Sequence, residues 1–399
     1  MLYHYPSLHL DTGSPKALLT VIDAVRSCGV TPLFLAKGEG PLTDALRARA
    51  VEIVEGTGGD ISWRTPLASV RRLSRMLDLL REHSIHVVHN NELGWNTDLL
   101  FAARYLGVGS LVHLHNPGTL SRRNLNWRLA SRVVLVSNAM RRSVQPFDWI
   151  AEKAEVIHNA VDVGAFASAR PAREELGLPS SAIVVATVGQ ITPRKAPDVT
   201  IEVARRLLPR HPDLHFVFVG RTPKGDEAFE ARLRLAAQEY VAQGRLLFLG
   251  SRHDVARILA SSDVFFHPAR AEPFGIVVIE AMAAGLPVVA AHVGGIPEIV
   301  GKPDTGILVP PDDVSGFCAA LEHLLASPHH RAAMGRTARH YVRSRFSTDA
   351  AGPAWVRLYR DICSRAKGRS GVLHRLPWPR FRSRRNDQEL ATEPSSDEP

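Results

Sequence analysis

The stretch HPARAEPFGIVVIEAMAAGLPVVAAHVGGIPEIV, His267–Val300, decides how the rest of the chain is read. It follows Val264, Phe265 and Phe266, an apolar run that reads as a buried strand. The chain then breaks at Pro268 and carries Glu272 on the turn. Pro273 suits the first position of a helix, because its missing N–H costs nothing there. A helix is expected from about Gly275 to Ala284, stopped at Gly285 with Pro287 just beyond. A second apolar strand, Val288–Ala291, leads into another glycine turn, Gly294-Gly295.

Glu280 stands out within that helix. Val277, Val278, Ile279, Ala281, Met282, Ala283 and Ala284 around it are apolar, so the helix is expected to be buried nearly all round. A lone carboxylate there is costly unless something hydrogen-bonds it. Nearby protein donors would meet that need, and so would a bound ligand offering hydroxyl groups. Glu272 sits at the helix N-terminus, where exposed backbone N–H groups favour an anion such as a diphosphate. Two carboxylates for hydroxyls beside a helix end for phosphate are what a nucleotide sugar requires. Purely structural carboxylates are the other reading.

The E-x7-E spacing of Glu272 and Glu280, with PFG after the first Glu, EAMA-x-G-x-PVVA at the second, then GGIPEIV and TGILVP, resembles glycosyltransferase family 4. The resemblance implies an α/β chain of GT-B architecture: two doubly wound Rossmann-like domains facing across a cleft, with a C-terminal crossover helix. It also implies a retaining transfer that needs no metal and no cofactor beyond a nucleotide-sugar co-substrate.

Composition is compatible with this. At 399 residues the chain is too long for one ordinary core. Cys28, Cys318 and Cys363 lie far apart without metal-ligand spacing, which fits a reducing compartment and small buried side chains. The longest apolar candidate, Ile276–Ala291, contains Glu280 and Pro287, and the start MLYHYPSLHLDTG lacks the features of a signal peptide. A cytoplasmic protein is expected, either soluble or attached only peripherally to the inner face of the cell membrane. A net charge of +9 points to phosphates or anionic lipid as partners. Nucleic acid is disfavoured, because no helix-turn-helix, zinc-finger or RNA-binding aromatic signature occurs.

In chain order, strands are expected near Leu2–Tyr5, Thr31–Leu35, Glu52–Val54, Ile85–His89, Gly109–Leu114, Arg132–Val136 and Glu155–Ile157. Helices are expected near Lys16–Cys28, Pro41–Arg49, Leu67–Glu82, Trp95–Leu106 and Asn138–Val144. Such alternation means a parallel sheet covered on both faces. Leu67, Val70, Leu73, Leu77 and Leu80 share one helical face opposite Arg71, Arg72, Arg75 and Asp78; with Trp63 and Arg64 the segment also admits a membrane-surface reading. A polar stretch, ASARPAREELGLPSS, leads to a second series of strands near Ile183–Val188, His215–Val219, Leu246–Leu249, Val264–His267, Val288–Ala291 and Gly306–Val309. The division is therefore 1–170 for an acceptor-binding domain and 171–348 for a nucleotide-sugar-binding domain. Residues 349–366 would form the crossover helix, centred on about Pro353–Arg365. Residues 367–399 would be a largely disordered basic-then-acidic tail, whose Leu376–Phe381 core could touch lipid.

Transfer from a nucleotide sugar builds negative charge on the leaving diphosphate, so fixed cations and N–H donors are the main requirement. Gly189–Asp198 follows a strand and carries Arg194 and Lys195. By resemblance that pair serves the diphosphate, although Gln190 stands where many members carry the arginine, and Ala160 replaces the glycine usual in an N-G-V-D segment. The resemblance also assigns Glu280 to the ribose hydroxyls and Glu272 to a hydroxyl of the donor sugar. It assigns the N–H groups around Phe274, Gly275 and Ile276 to phosphate or sugar, and the loop at Gly13 to the diphosphate. His115 is the better match, over His113, to a histidine that contacts the donor sugar. Glu298 is placed structurally, and His89-Asn90-Asn91-Glu92 is placed at a strand end where it would read the acceptor. The acceptor itself would bear a sugar or a lipid. A sugar-nucleotide epimerase or a non-catalytic scaffold of the same architecture are the competing readings; a nicotinamide dehydrogenase is excluded by the lack of a G-x-G-x-x-G opening a helix.

Overall fold

A computed structural model describes residues 1–367 except 11, 57, 63, 93–95, 117–125, 145–147 and 302–303. Trp63, Trp95, the Pro117-Gly118 turn and the tail from residue 368 onward lie outside the described residues.

Two parallel sheets are formed. The first contains β1 (Leu2–His4), β2 (Leu33–Ala36), β3 (Glu52–Glu55), β4 (Val87–Asn91), β5 (Gly109–Leu114), β6 (Arg132–Leu135) and β7 (Ala154–Val156), in the order β3-β2-β1-β4-β5-β6-β7. The second contains β8 (Ile183–Val188), β9 (Leu214–Val219), β10 (Leu246–Phe248), β11 (Val264–His267), β12 (Val288–Ala291) and β13 (Ile307–Val309), in the order β10-β9-β8-β11-β12-β13. Both orders reverse next to the first strand of the series, between β1 and β4 and between β8 and β11. Such a reversal opens a crevice at the carboxyl ends of the strands. The central strands are buried on both faces, which explains their near-continuous Val, Leu and Phe runs.

Four local expectations are corrected. The strand expected at Ile85–His89 runs Val87–Asn91, which brings Asn90 and Asn91 into the sheet. Pro273 is not the first residue of its helix: the helix spans Ile276–Ala284, because Gly275 adopts φ +112 and the turn before it is spent on placing Glu272. Leu67 is 73% exposed, since it lies in the first turn of the Pro66–Glu82 helix and only the later Leu73, Met76, Leu77, Leu79 and Leu80 reach the core. The last helix spans Thr348–Lys367 and holds Pro353 inside it. Ser347 accepts from the Ala350 N–H at 3.1 Å and caps its start, so the proline falls early in the helix, where one lost hydrogen bond is tolerated.

That last helix crosses back onto the first sheet. Trp355 and Tyr359 are buried against Tyr3 and His89, and the Arg132 guanidinium reaches Asp361 at 2.6 Å. Close approach is secured by small residues: a Cβ on Gly109 would lie 2.2 Å from Ile362, and one on Gly352 2.7 Å from the Ala24 carbonyl. The polar stretch after Ala167 is docked on the second domain, with Arg173 bonded to Asp263 at 2.7 Å and to the Ser261 carbonyl at 2.9 Å. Among the described residues no helix is long and apolar enough to cross a membrane.

Candidate active site

At the β8–β11 switch point the sequence places its cations and carboxylates together. A short 3-10 turn, Pro193–Lys195, follows β8 and ends at Ala196, a non-glycine residue with φ +53. Holding alanine there costs on the order of 1 kcal/mol, the kind of strain found where a turn must aim a side chain. Lys195 folds back over Gly189, and its ammonium pairs with Glu272 at the end of the β11 loop. His267, the last residue of β11 and 2% exposed, donates from Nε2 to the same Glu272 oxygen at 3.1 Å. Burial alone would raise the Glu272 pKa, but the Lys195 charge and then His267 outweigh it and hold the carboxyl far below the usual range. Glu272 is thus held as an anion at neutral pH.

Arg194 is exposed and donates to the Ala271 carbonyl at 3.1 Å, so the cationic turn and the Glu272 loop are tied by backbone as well as by charge. Arg270 completes the tie. Its N–H donates to the Arg194 carbonyl (2.9 Å), while its guanidinium bonds Asp198 (2.6 Å), Asp312 (2.8 Å) and the Pro193 carbonyl (2.8 Å). Neither His267 nor Arg270 was assigned a role from sequence. His267 could have been found as a polar residue closing an apolar strand; for Arg270 no local signal exists, because both its carboxylate partners are distant in sequence.

Glu280 is buried, at 6% exposure, and its Oε2 has no hydrogen-bond partner among the described residues. Burial raises its pKa, and the charge of Lys16 on the first domain's opening helix opposes that rise. An unsatisfied buried polar group of this kind costs roughly 1–3 kcal/mol. Phe274 is buried, with its ring stacked on His158 at 5.6 Å. The helix that follows Gly275 leaves its leading N–H groups, Ile276 among them, without intrahelical acceptors. Gly13 opens the Gly13–Arg26 helix directly opposite: a Cβ there would come within 3.3 Å of the Ile276 side chain.

The β1–β4 switch point forms the facing rim. His115 donates from Nε2 to Asn91 Oδ1 at 3.0 Å, the Asn91 amide donates to the Ser14 carbonyl at 3.1 Å, and Ser14 Oγ donates to Glu92 at 2.7 Å. Glu92 adopts φ +95, a strained conformation at a strand end. His113 points the same way as His115, ring to ring at 4.1 Å, but is fully buried with neither nitrogen bonded. Burial depresses His89 and His115 to about 3 and His4 to about 4, so these rings are neutral donors and acceptors. Glu298, placed structurally near the cleft end from sequence, reaches across to the first domain, accepting from the Asn138 N–H. Among the described residues no group of three or more His, Cys, Asp or Glu is placed to hold a metal.

Comparisons agree with this geometry. A family model described as Glycosyltransferase Family 4 matches residues 13–165, and one described as Glycosyl transferases group 1 matches residues 168–341. A D-inositol 3-phosphate glycosyltransferase of Saccharomonospora viridis is 34% identical over 233 residues, 56% of this chain and 54% of that protein. One of Mycobacterium tuberculosis is 36% identical over 215 residues, 52% of this chain and 44% of its own length. The matched region therefore spans about half the length of these relatives. HepE of Anabaena, solved in complex with UDP-glucose, superposes with a TM-score of 0.76 at 22% identity, covering 90% of this chain and 99% of that one. At that identity the likeness shows the fold, which is GT-B.

Proposed function

Because the chain belongs to the group-1 glycosyltransferases of family 4, we propose that it is a hexosyltransferase. In this reading it moves a hexose or N-acetylhexosamine from a UDP- or GDP-sugar to an acceptor hydroxyl, with retention and without a metal, in the assembly of a polysaccharide, lipid-linked glycan or glycoconjugate. The first domain, 1–170, takes the acceptor and the second, 171–348, the donor. The observation that carries the reading is the unpartnered buried oxygen of Glu280 beside the Lys195–Glu272 pair. A donor's ribose hydroxyls would satisfy the first, and its diphosphate would compete for the second.

Lys195 and Arg194, with the N–H groups of Phe274, Gly275 and Ile276, would neutralise charge on the leaving diphosphate, and Gly13 lets the first-domain loop approach it. Glu272 would then be free to accept a hydroxyl of the donor sugar. His115, neutral, would hold another. The bond from the anomeric carbon to the diphosphate breaks, the bond to the acceptor oxygen forms on the same face, and the acceptor proton passes to the departing phosphate oxygen. The HepE complex with UDP-glucose favours uridine as the first donor base to try.

A thermal-shift screen of UDP-, GDP- and ADP-sugars would identify the donor by the largest rise in melting temperature. Lys195→Ala should then cost about 10²–10³ in kcat, and Glu280→Ala should abolish donor-dependent turnover, each with the fold retained. Wild-type turnover in both variants would refute the site. We also propose peripheral attachment to the cytoplasmic face of an anionic membrane, supported by Leu67, 73% exposed in a helix that carries Arg71. Co-sedimentation with phosphatidylglycerol vesicles, lost in Leu67→Glu, tests it.

A further inference from the structure

The Asn138–Val144 helix of the first domain begins at the domain gap. Its own cap, Ser137, accepts from the Met140 N–H at 3.1 Å and donates across the gap to the Pro273 carbonyl at 2.6 Å. The two N–H groups that Ser137 does not reach are taken by the second domain. Asn138 N–H donates to Glu298 Oε2 at 2.9 Å and Ala139 N–H to Oε1 at 2.8 Å. The Asn138 side-chain amide and His158 Nε2 each donate to Oε2 at 2.9 Å. A single carboxylate so receives four donors from the opposite domain, at the positive end of a helix. Burial by itself would raise its pKa; those N–H donors, Asn138 foremost, hold it down.

This contact lies directly behind the catalytic loop. Gly295 donates to the Glu272 carbonyl at 3.0 Å, and a Cβ on it would meet the Pro273 carbonyl at 2.6 Å and Ser137 at 3.1 Å. His158 stacks on Phe274 and meets Phe346 edge-on, both at 5.6 Å. The two chain crossings between domains run here side by side, Val161 N–H donating to the Phe346 carbonyl at 2.8 Å and Thr348 N–H to the Val161 carbonyl at 3.2 Å. A contact at the two crossings serves as a pivot between the domains.

We infer that Glu298, with Ser137 and His158, is a positioning residue: it pins the Glu272–Phe274 loop to the first domain, so that the cleft opens and closes by rotation about this point while Glu272 keeps its place relative to both domains. The inference concerns domain geometry first, and its effect on turnover rests on the transferase reading.

The test separates the two. Spin labels on R81C and Q238C, exposed sites on different domains, in a C28S, C363S background, report the interdomain distance by double electron–electron resonance. The unaltered pivot gives a bounded distribution, limited to the distances that rotation about one point allows. Glu298→Gln should broaden it as much as Glu298→Ala does, because an amide nitrogen cannot accept from the donors that face it. Ser137→Ala, which removes one interdomain bond and the cap on the Met140 N–H but leaves the Glu298 contacts, should broaden it less. With UDP-glucose or whichever nucleotide sugar the screen selects, Glu298→Gln should lower kcat at least tenfold and change KM by less than threefold. A merely structural role would lower the melting temperature and leave the distance distribution and kcat as they were. Unchanged distances in both Glu298→Gln and Ser137→Ala overturn the inference, even if no donor is ever turned over; changed distances with unchanged kcat overturn its catalytic part.

Discussion

Between β1 and β4 the side chains that meet at the switch point are chiefly imidazoles and amides: His4, His115, Asn90, Asn91 and Asn96. Between β8 and β11, at the same place in a sheet of the same order, they are Lys195, Arg194 and Glu272, with Glu280 one helix away. The first rim is neutral because burial strips its histidines of their protons; the second stays charged because its ions are paired. A half that must hold a diphosphate needs fixed charge. A half that presents hydroxyl groups needs hydrogen bonds whose polarity can be reversed, which a neutral imidazole supplies.

The largest expected consequence is acid lability that is greatest in the first half, where four depressed imidazoles stand against His267 alone in the second. His4, His89, His113 and His115 are depressed by burial, three of them to about 3 or 4. Below about pH 6.5 the unfolded chain binds protons that the folded chain refuses, so stability is full above that value and falls as the pH drops toward the folded pKa values. Each ring contributes about 1.4 kcal/mol per pH unit, so the four together approach roughly 5 kcal/mol per unit near pH 5.5. Urea unfolding at pH 7.5, 6.0 and 5.0 measures the slope, and His113→Leu should reduce it by about a quarter. Equal midpoints at all three values would remove the contrast between the halves.

A smaller effect sharpens the charged side. Glu280 costs the fold roughly 1–3 kcal/mol through its unsatisfied oxygen. Glu280→Met should therefore raise the melting temperature of the free protein by a few degrees while weakening donor binding, a trade of function against stability. A lower melting temperature would mean that protein donors do satisfy Glu280. The smallest expected effect concerns Glu92. With φ +95 it stores about 1 kcal/mol, which Glu92→Gly should recover in a denaturant melt. No gain would show that the Ser14 and Asn90 contacts already compensate the strain.

Much of this was legible in the chain. The alternation of apolar runs and helical patterns gave both sheets to within a few residues, and the apolar neighbours of Glu280 foretold that its helix is buried. What failed did so for identifiable reasons. Leu67 matched the apolar face of its helix, yet nothing in a helical period says where the covered surface ends. Pro273 and Pro353 obeyed local rules for helix starts, and tertiary packing overrode both, once by spending a turn on Glu272 and once by extending a helix upstream under a serine cap. Arg270 and His267 carry no pattern of their own; their importance lies in what they touch.

By itself the sequence determined the elements and their chemistry: which segments are strands, where a turn is cationic, which carboxylate sits among apolar neighbours. Those properties follow from periods of two and of 3.6 and from caps and turns, all set within about a dozen residues. Only the tertiary structure decided the meetings. Lys195 and Glu272 are 77 positions apart, His158 and Glu298 are 140, and His89 and Tyr359 are 270. No local period spans such separations. They are closed by the strand order of two sheets and by one helix returning across the gap, where burial of shared apolar surface offsets the entropy of closing the loops.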